Sequence, residues 1–543
     1  MQHTSRPGQI AKTHSETEPW WQRGVIYQVY PRSFQDSDGD GIGDLRGIID
    51  RLDYLVWLGV DAIWVSPIFP SPMADFGYDI ADYRGIDPRF GTVADFDRLL
   101  LEAHRRGLRV LLDFVPNHTS DRHPWFLESR SSRQNPRRDF YLWHDAAPDG
   151  GPPNNWRSEF GGSAWQWDEH TGQYYYHAFL KEQPDLNWRN PQVRREMYDI
   201  LRFWLDKGVD GFRVDVMWHL IKDAEFRDNP PNPDWTEEMP PHKKVLPLYS
   251  TDQPEVHEVV SEMRGVLEEY GSDRLLIGEI YLPVARLVGY YGRDLRGAHL
   301  PFNFHLIQAQ WDARHIERQI AEYEAALPEG GWPNWVLSNH DKPRIAARVG
   351  RKQARVAAMM LLTLRGTPTI YYGDEIGMDD VPIPADRVQD PFERRVPGKG
   401  FGRDPQRTPM QWDRGANAGF TIGSPWLPLA SDRDKFNVEA EREDPRSVLA
   451  LYRRLLGLRR KRDALAIGRY AAVQASGNML AYLRETEEER YLVALNLGAE
   501  PAALELPGPC RILVSTENRK EGEPIAGKLD LAGNEGVLAE MAE

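Results

Sequence analysis

Four short segments between Leu111 and Asp341 carry polar or charged residues at or next to their ends, and three of them begin as apolar, β-branched runs. They are LLDFVPNH (Leu111 to His118), GFRVDV (Gly211 to Val216), LLIGEI (Leu275 to Ile280) and NWVLSNHD (Asn334 to Asp341). Apolar runs of this length read as parallel strands buried on both faces. A polar finish on such a strand falls where (β/α)8 barrels keep their chemistry, at the C-terminal strand ends.

The rest of the chain alternates in the same way. VIYQVYP (Val25 to Pro31), DAIWVSP (Asp61 to Pro67), HLPFNF (His299 to Phe304) and TPTIYYGDE (Thr367 to Glu375) bring the strand-like segments to eight. Helical spacing of apolar residues separates most of them, as in LRGIIDRLDYLVWLG and VRREMYDILRFWLDKG. This predicts an α/β chain built on a (β/α)8 TIM barrel. Two intervals are too long for ordinary loops. The first, over 119–187, is rich in Trp, Tyr, Pro and Gly and reads as a subdomain inserted after strand 3. The second is a long loop over 376–445. The expected organisation is therefore a barrel in two parts, 1–118 (with a loose tail over 1–17) and 188–462, around the insert. Short alternating strands such as MLAYLRE and RYLVALNL predict a C-terminal all-β domain over 463–543.

A net charge of −15 argues against a nucleic-acid partner, since a polyanion would be repelled. Cys510 stands alone, so no internal disulfide forms. No window reaches the roughly 20 apolar residues of a membrane helix, and the first twenty residues carry no signal-like apolar core. The expectation is a soluble, cytoplasmic enzyme, monomeric or homo-oligomeric, with no membrane partner.

Asp215, Glu279 and Asp341 lie at the ends of strands four, five and seven. Glycoside hydrolysis needs one carboxyl to donate a proton and another to attack or to activate water. Adjacent strands lie about 4.8 Å apart, which suits the roughly 5 to 5.5 Å carboxylate spacing of retaining enzymes. Arg213, two residues before Asp215, shares its strand face and can hold that aspartate ionised.

DFVPNH, GFRVDV, GEIY and SNHD resemble the four signature regions of the alpha-amylase family, family 13 of the glycoside hydrolases. QPDLNW (Gln183 to Trp188) resembles the fifth region in the form seen in oligo-1,6-glucosidases and related alpha-glucosidases. The likeness runs from about Trp20 to the C-terminus and is nearest to bacterial exo-acting alpha-glucosidases. It implies Asp215 as nucleophile, Glu279 as general acid/base and Asp341 as transition-state stabiliser. Tyr78 and Asp79 in FGYDI, with His118, Arg213 and His340, match the family's contacts to the sugar in subsite −1. Phe160, Phe179 and Arg407 (in GRDPQRTPMQW) match residues of the glucose pocket.

DSDGDGIGD (Asp36 to Asp44) spaces carboxylates around glycines, as oxygen cages for hard cations do. It is no EF-hand, because the twelfth position is Gly47 rather than Glu. The resemblance implies a structural Ca2+ or Mg2+ held by Asp36, Asp38, Asp40, the carbonyl of Ile42 and Asp44, and no organic cofactor. The activity it implies is retaining, exo-acting hydrolysis of terminal α-linked glucose from a short oligosaccharide. The alternative is a glucosyltransferase or trehalose-forming isomerase on the same scaffold. A non-catalytic relative of the transporter heavy-chain type is disfavoured, since all three carboxyls are present and no membrane helix is.

Overall fold

The computed structural model describes residues 18–542, and the tail expected over 1–17 lies outside the described residues. Eight strands form one parallel sheet: β1 Ile26–Val29, β2 Ala62–Val65, β3 Arg109–Phe114, β4 Gly211–Val214, β5 Leu275–Ile280, β6 Leu300–Asn303, β7 Asn334–Val336 and β8 Thr367–Tyr371. Their order is β7-β8-β1-β2-β3-β4-β5-β6, and each hydrogen-bonded pairing is parallel. The remaining seam, between β6 and β7, is bridged by a side chain: Asn303 N–H donates to Oδ1 of Asn334 at 2.9 Å. The sheet is thereby the wall of a TIM barrel.

Local sequence explains where the surrounding helices start and stop. Asp44 caps the helix Leu45–Leu58 by accepting from Gly47 N–H, and Gly59, at φ 105°, ends it in the left-handed region. Thr92 and Asp95 form a reciprocal capping box at the start of Val93–Arg105. Each of these helices turns an apolar face toward the sheet, where Leu52, Leu55, Phe96 and Leu99 are fully buried.

After β3 the chain leaves the barrel and builds a small sheet from Trp143–His144, Gln173–Tyr176 and Trp165–Asp168. So few residues gain a core only by using large side chains, and Trp156, Trp165 and Tyr176 supply it. At the C-terminal end, six strands beginning with Arg469–Ser476 make an antiparallel sheet, and Ala502–Glu505 pairs with Lys528–Leu531 beside it. Side chains alternate across a strand. Accordingly Leu480, Tyr482, Tyr491, Val493 and Leu495 join the barrel core, while Met479, Ala481, Leu483, Leu492 and Ala494 form the domain's own core. No helix among the described residues is long and apolar enough to cross a membrane.

Candidate active site

The barrel's parallel register brings two carboxylates together. Val214 on β4 pairs with Gly278 on β5, so the residues that follow, Asp215 and Glu279, stand side by side. Arg213 sits beneath them with no solvent exposure. Its Nη1 lies 2.8 Å from Asp113 and 2.7 Å from Asp215, and its Nη2 lies 2.6 Å from Glu279. One guanidinium thus meets three carboxylates. Burial pushes the Asp215 carboxyl up, Arg213 pulls it down, and Glu279 and Asp113 push it up again, with a net rise. Asp113 went unassigned in the sequence, although it lies inside DFVPNH. Its Oδ2 also accepts from Trp64 Nε1 and from the Tyr78 hydroxyl.

Asp341 arrives five residues past the end of β7, in a loop closed by a bridge between Asn339 and Lys342. Burial opposes its charge. Its charged and polar neighbours, with Arg403 and Arg407 among them, outweigh burial and hold it well below the usual carboxylate range. Burial itself pushes His340 down to about 3, so its ring is neutral near pH 7 and the two arginines supply the positive charge. Arg407 Nη2 lies 2.7 Å and Arg403 Nη1 3.3 Å from the same oxygen of Asp341. Gln28 donates to Nδ1 of His340 at 2.8 Å, which leaves Nε2–H to face the Tyr78 hydroxyl at 2.9 Å. Tyr78 in turn donates to Asp113, so the chain of bonds ends on the partner of Arg213.

These groups meet at a cavity of about 860 Å3 lined by Asp215, Glu279, Asp341, Tyr78, His118, Phe160 and Phe179, among others. Phe160 and Phe179 come from the insert and pack edge to face at 6.4 Å. His118 accepts from Asn117 at Nδ1 and donates from Nε2 to the Tyr78 carbonyl, and burial pushes it down to about 4. Arg213, His340 and Arg407 lie behind this wall and act on the cavity through the side chains they hold.

Two sequence assignments move. Asp79 lies outside the cavity: it is fully buried, and its two oxygens accept the backbone N–H groups of Ala74 and Asp75. The loop SPMADFGYD curls through Phe76 (φ 50°) and Gly77 (φ 106°), which turns Asp79 onto its own backbone and points Asp75 into the cavity. Arg407 is likewise buried, and Arg403, four residues earlier in GRDPQR, reaches the cavity and pairs with Asp75 at 2.7 Å. In both loops an alternative of the same type stood four residues away. Gln183 of QPDLNW donates to Asp75 at 3.2 Å and so ties the insert to the same loop.

Of the expected metal ligands, Asp36, Asp38 and Asp40 bring carboxylate oxygens within 4.8 Å of one another. Asp44 stands outside that cluster, with its oxygens engaged by the N–H groups of Gly47 and Ser37. Asp40 is raised by burial, with Asp38 and Asp36 adding to the rise, which a cation would relieve. Asp36 also accepts from the N–H groups of Asp38, Gly39 and Gly41 and from Thr421.

The family profile "Alpha amylase, catalytic domain" matches residues 28–468, and "Maltogenic Amylase, C-terminal domain" matches 470–533. This chain belongs to the alpha-amylase family. An oligo-1,6-glucosidase of Heyndrickxia coagulans is 43% identical over 532 residues, with 90% of this chain and 94% of that protein covered. A probable alpha-glucosidase of Rhizobium meliloti (strain 1021) is 42% identical, with 91% and 93% covered. Among solved structures, an alpha-glucosyl transfer enzyme superposes with a TM-score of 0.92 at 42% identity, covering 97% of this chain and all of the other. The trehalulose synthase of Pseudomonas mesoacidophila MX-45 does so at 0.89 and 37% identity, covering 96% and 99%. As a member of the alpha-amylase family with this set of relatives, the protein is a glycoside hydrolase.

Proposed function

We propose that this alpha-amylase family member is a retaining, exo-acting α-glucosidase that removes terminal α-linked glucose, through α-1,4 or α-1,6 bonds, from short oligosaccharides. The observation that carries this reading is the placement of Asp215 and Glu279 in register on adjacent strands, both paired with Arg213, in a cavity whose lining includes the Asp75–Arg403 ion pair. A charged pair in the lining can hydrogen-bond the hydroxyls of a terminal sugar.

Asp215 attacks the anomeric carbon while Glu279 gives its proton to the departing glycosidic oxygen. Water then attacks the glucosyl ester, its proton passes to Glu279, and the bond to Asp215 breaks. Asp341 stays ionised throughout and faces the developing positive charge. A second reading, glucosyl transfer to a sugar hydroxyl, is supported by the similarity to a glucosyl transfer enzyme and by the aromatic side chains of Trp218, Tyr281 and Phe304 along the outer cavity. We propose further that the Asp36–Asp44 loop holds a structural Ca2+ or Mg2+, which takes no part in the reaction.

A panel of maltose, isomaltose, trehalose, sucrose and maltotriose tests the reading. Glucose as the sole product from maltose supports hydrolysis. Longer or rearranged glucosides as the main products would assign the chain to transfer or isomerisation instead.

A further inference from the structure

We propose that the backbone N–H of Val216, presented by a strained left-handed turn, fixes which oxygen of Glu279 carries the acid proton. The inference rests on the reading of Glu279 as general acid.

Val216 follows Asp215 directly and has φ 35° and ψ 48°. A β-branched side chain in the left-handed region crowds its own backbone, so the conformation persists only where the surroundings enforce it. Here the enforcing contact comes from β5. A Cβ on Gly278 would stand 2.6 Å from Met217 Sδ and 2.9 Å from its Cε. Gly278 therefore leaves the space that seats Met217, and the turn Met217–His219 is pressed against the strand that carries Glu279.

The result is a directed N–H. Val216 N donates to Oε2 of Glu279 at 2.9 Å, and Arg213 Nη2 lies 2.6 Å from the same oxygen. A peptide N–H and a guanidinium can only donate. An oxygen that accepts the first and lies 2.6 Å from the positive charge of the second is the poorer place for a proton. Oε1 takes no hydrogen bond among the described residues, and Glu279 lines the cavity. The geometry thus assigns the proton to Oε1, which gives it to the glycosidic oxygen in the first step and takes one from water in the second. Val216 is a positioning residue whose backbone does the work.

An amide-to-ester exchange isolates this bond. Val216 is replaced by its α-hydroxy acid through a suppressor transfer RNA, which deletes the N–H and keeps the side chain. Two substrates are compared: maltose or isomaltose, whose leaving oxygen needs a proton, and α-glucosyl fluoride, whose leaving ion needs far less help. The expected result is a loss of about tenfold in kcat/KM on the disaccharide and no more than about twofold on the fluoride, because only the first draws on general acid catalysis. Equal losses on both, or none on either, would overturn the proposal. Gly278→Ala, which displaces Met217, should reproduce the split and serves as the second variant. Glu279→Gln separates the two levels of the argument. If it shows the split and the ester does not, the role of the N–H falls alone. If Glu279→Gln shows no split, the general-acid reading falls with it.

Discussion

Nη2 of Arg403 lies 2.7 Å from Oδ1 of Asp75, an ion pair between the loops after β8 and β2 that spans 328 residues of sequence. The same guanidinium reaches Asp341 at 3.3 Å and Asp390 at 2.6 Å. It therefore couples Asp75 to Asp341, two carboxylates that line the same cavity. Asp79, four residues after Asp75, pairs with none of these charged side chains and meets the network only through the backbone N–H of Asp75.

Two conservative substitutions should separate these neighbours. Asp75→Asn removes a charge that Arg403 pairs with and a cavity-lining group, so kcat/KM should fall by about 10²-fold. Asp79→Asn should leave kcat/KM within about threefold, and its loss of one backbone hydrogen-bond acceptor, about 1–3 kcal/mol, should be largely offset at pH 7 by removal of the buried carboxylate's ionisation cost. Steady-state kinetics and urea unfolding of both variants check this, and the opposite pattern would restore Asp79 to the site.

Asp79 also carries a pH signature. Burial pushes it up to about 6, above its unfolded value of about 3.9. The folded chain then holds the proton more tightly, so ionising Asp79 opposes folding. That cost is absent below about pH 4, grows between about pH 4 and 6, and is complete above, on the order of 3 kcal/mol. Asp79→Asn should remove this slope. Unfolding free energies of wild type and variant at a series of pH values would show their difference changing across that window and constant above it.

How much of this was legible beforehand depends on where each residue sits. Strands buried on both faces announce themselves as apolar runs, and Asp215 and Glu279 follow from strand position alone. Asp215 stands one residue past its strand and Glu279 inside its own, so strand register sets their spacing. Loop residues obey no such period. The positive φ of Phe76 and Gly77 decides which of two aspartates faces the cavity, and FGYD does not encode that choice visibly. Asp113 was hidden for another reason: its role is to hold Arg213 and Tyr78, a relation that exists only once two strands and the loop after β2 are packed.

The acidic loop makes a separable prediction. A bound cation would stabilise the folded state by mass action and would reinforce the contact between this loop and residues 421–425, where a Cβ on Gly41 would lie 1.9 Å from the Ser424 carbonyl oxygen. Chelation should lower the melting temperature and leave turnover at moderate temperature unchanged. Elemental analysis that finds no metal, together with an unmoved melting curve, would reduce the loop to a hydrogen-bonded turn.

The side chain of Val216 lines the cavity beside Asp215. A methyl-scale change in such a wall is worth about 1–3 kcal/mol of discrimination. Val216→Thr should change the isomaltose-to-maltose ratio of kcat/KM, a difference read by steady-state kinetics on the two disaccharides. An unchanged ratio would mean that this side chain does not shape the site for the leaving sugar.

The central claim is double displacement through Asp215. Asp215→Asn should fold normally and lose about 10³-fold or more in kcat, because no glucosyl ester can form. The most direct measurement follows the anomeric proton of released glucose by NMR during the first minutes of hydrolysis, before mutarotation. Two inversions predict that α-glucose appears first. Initial release of β-glucose would mean a single displacement and would contradict the account.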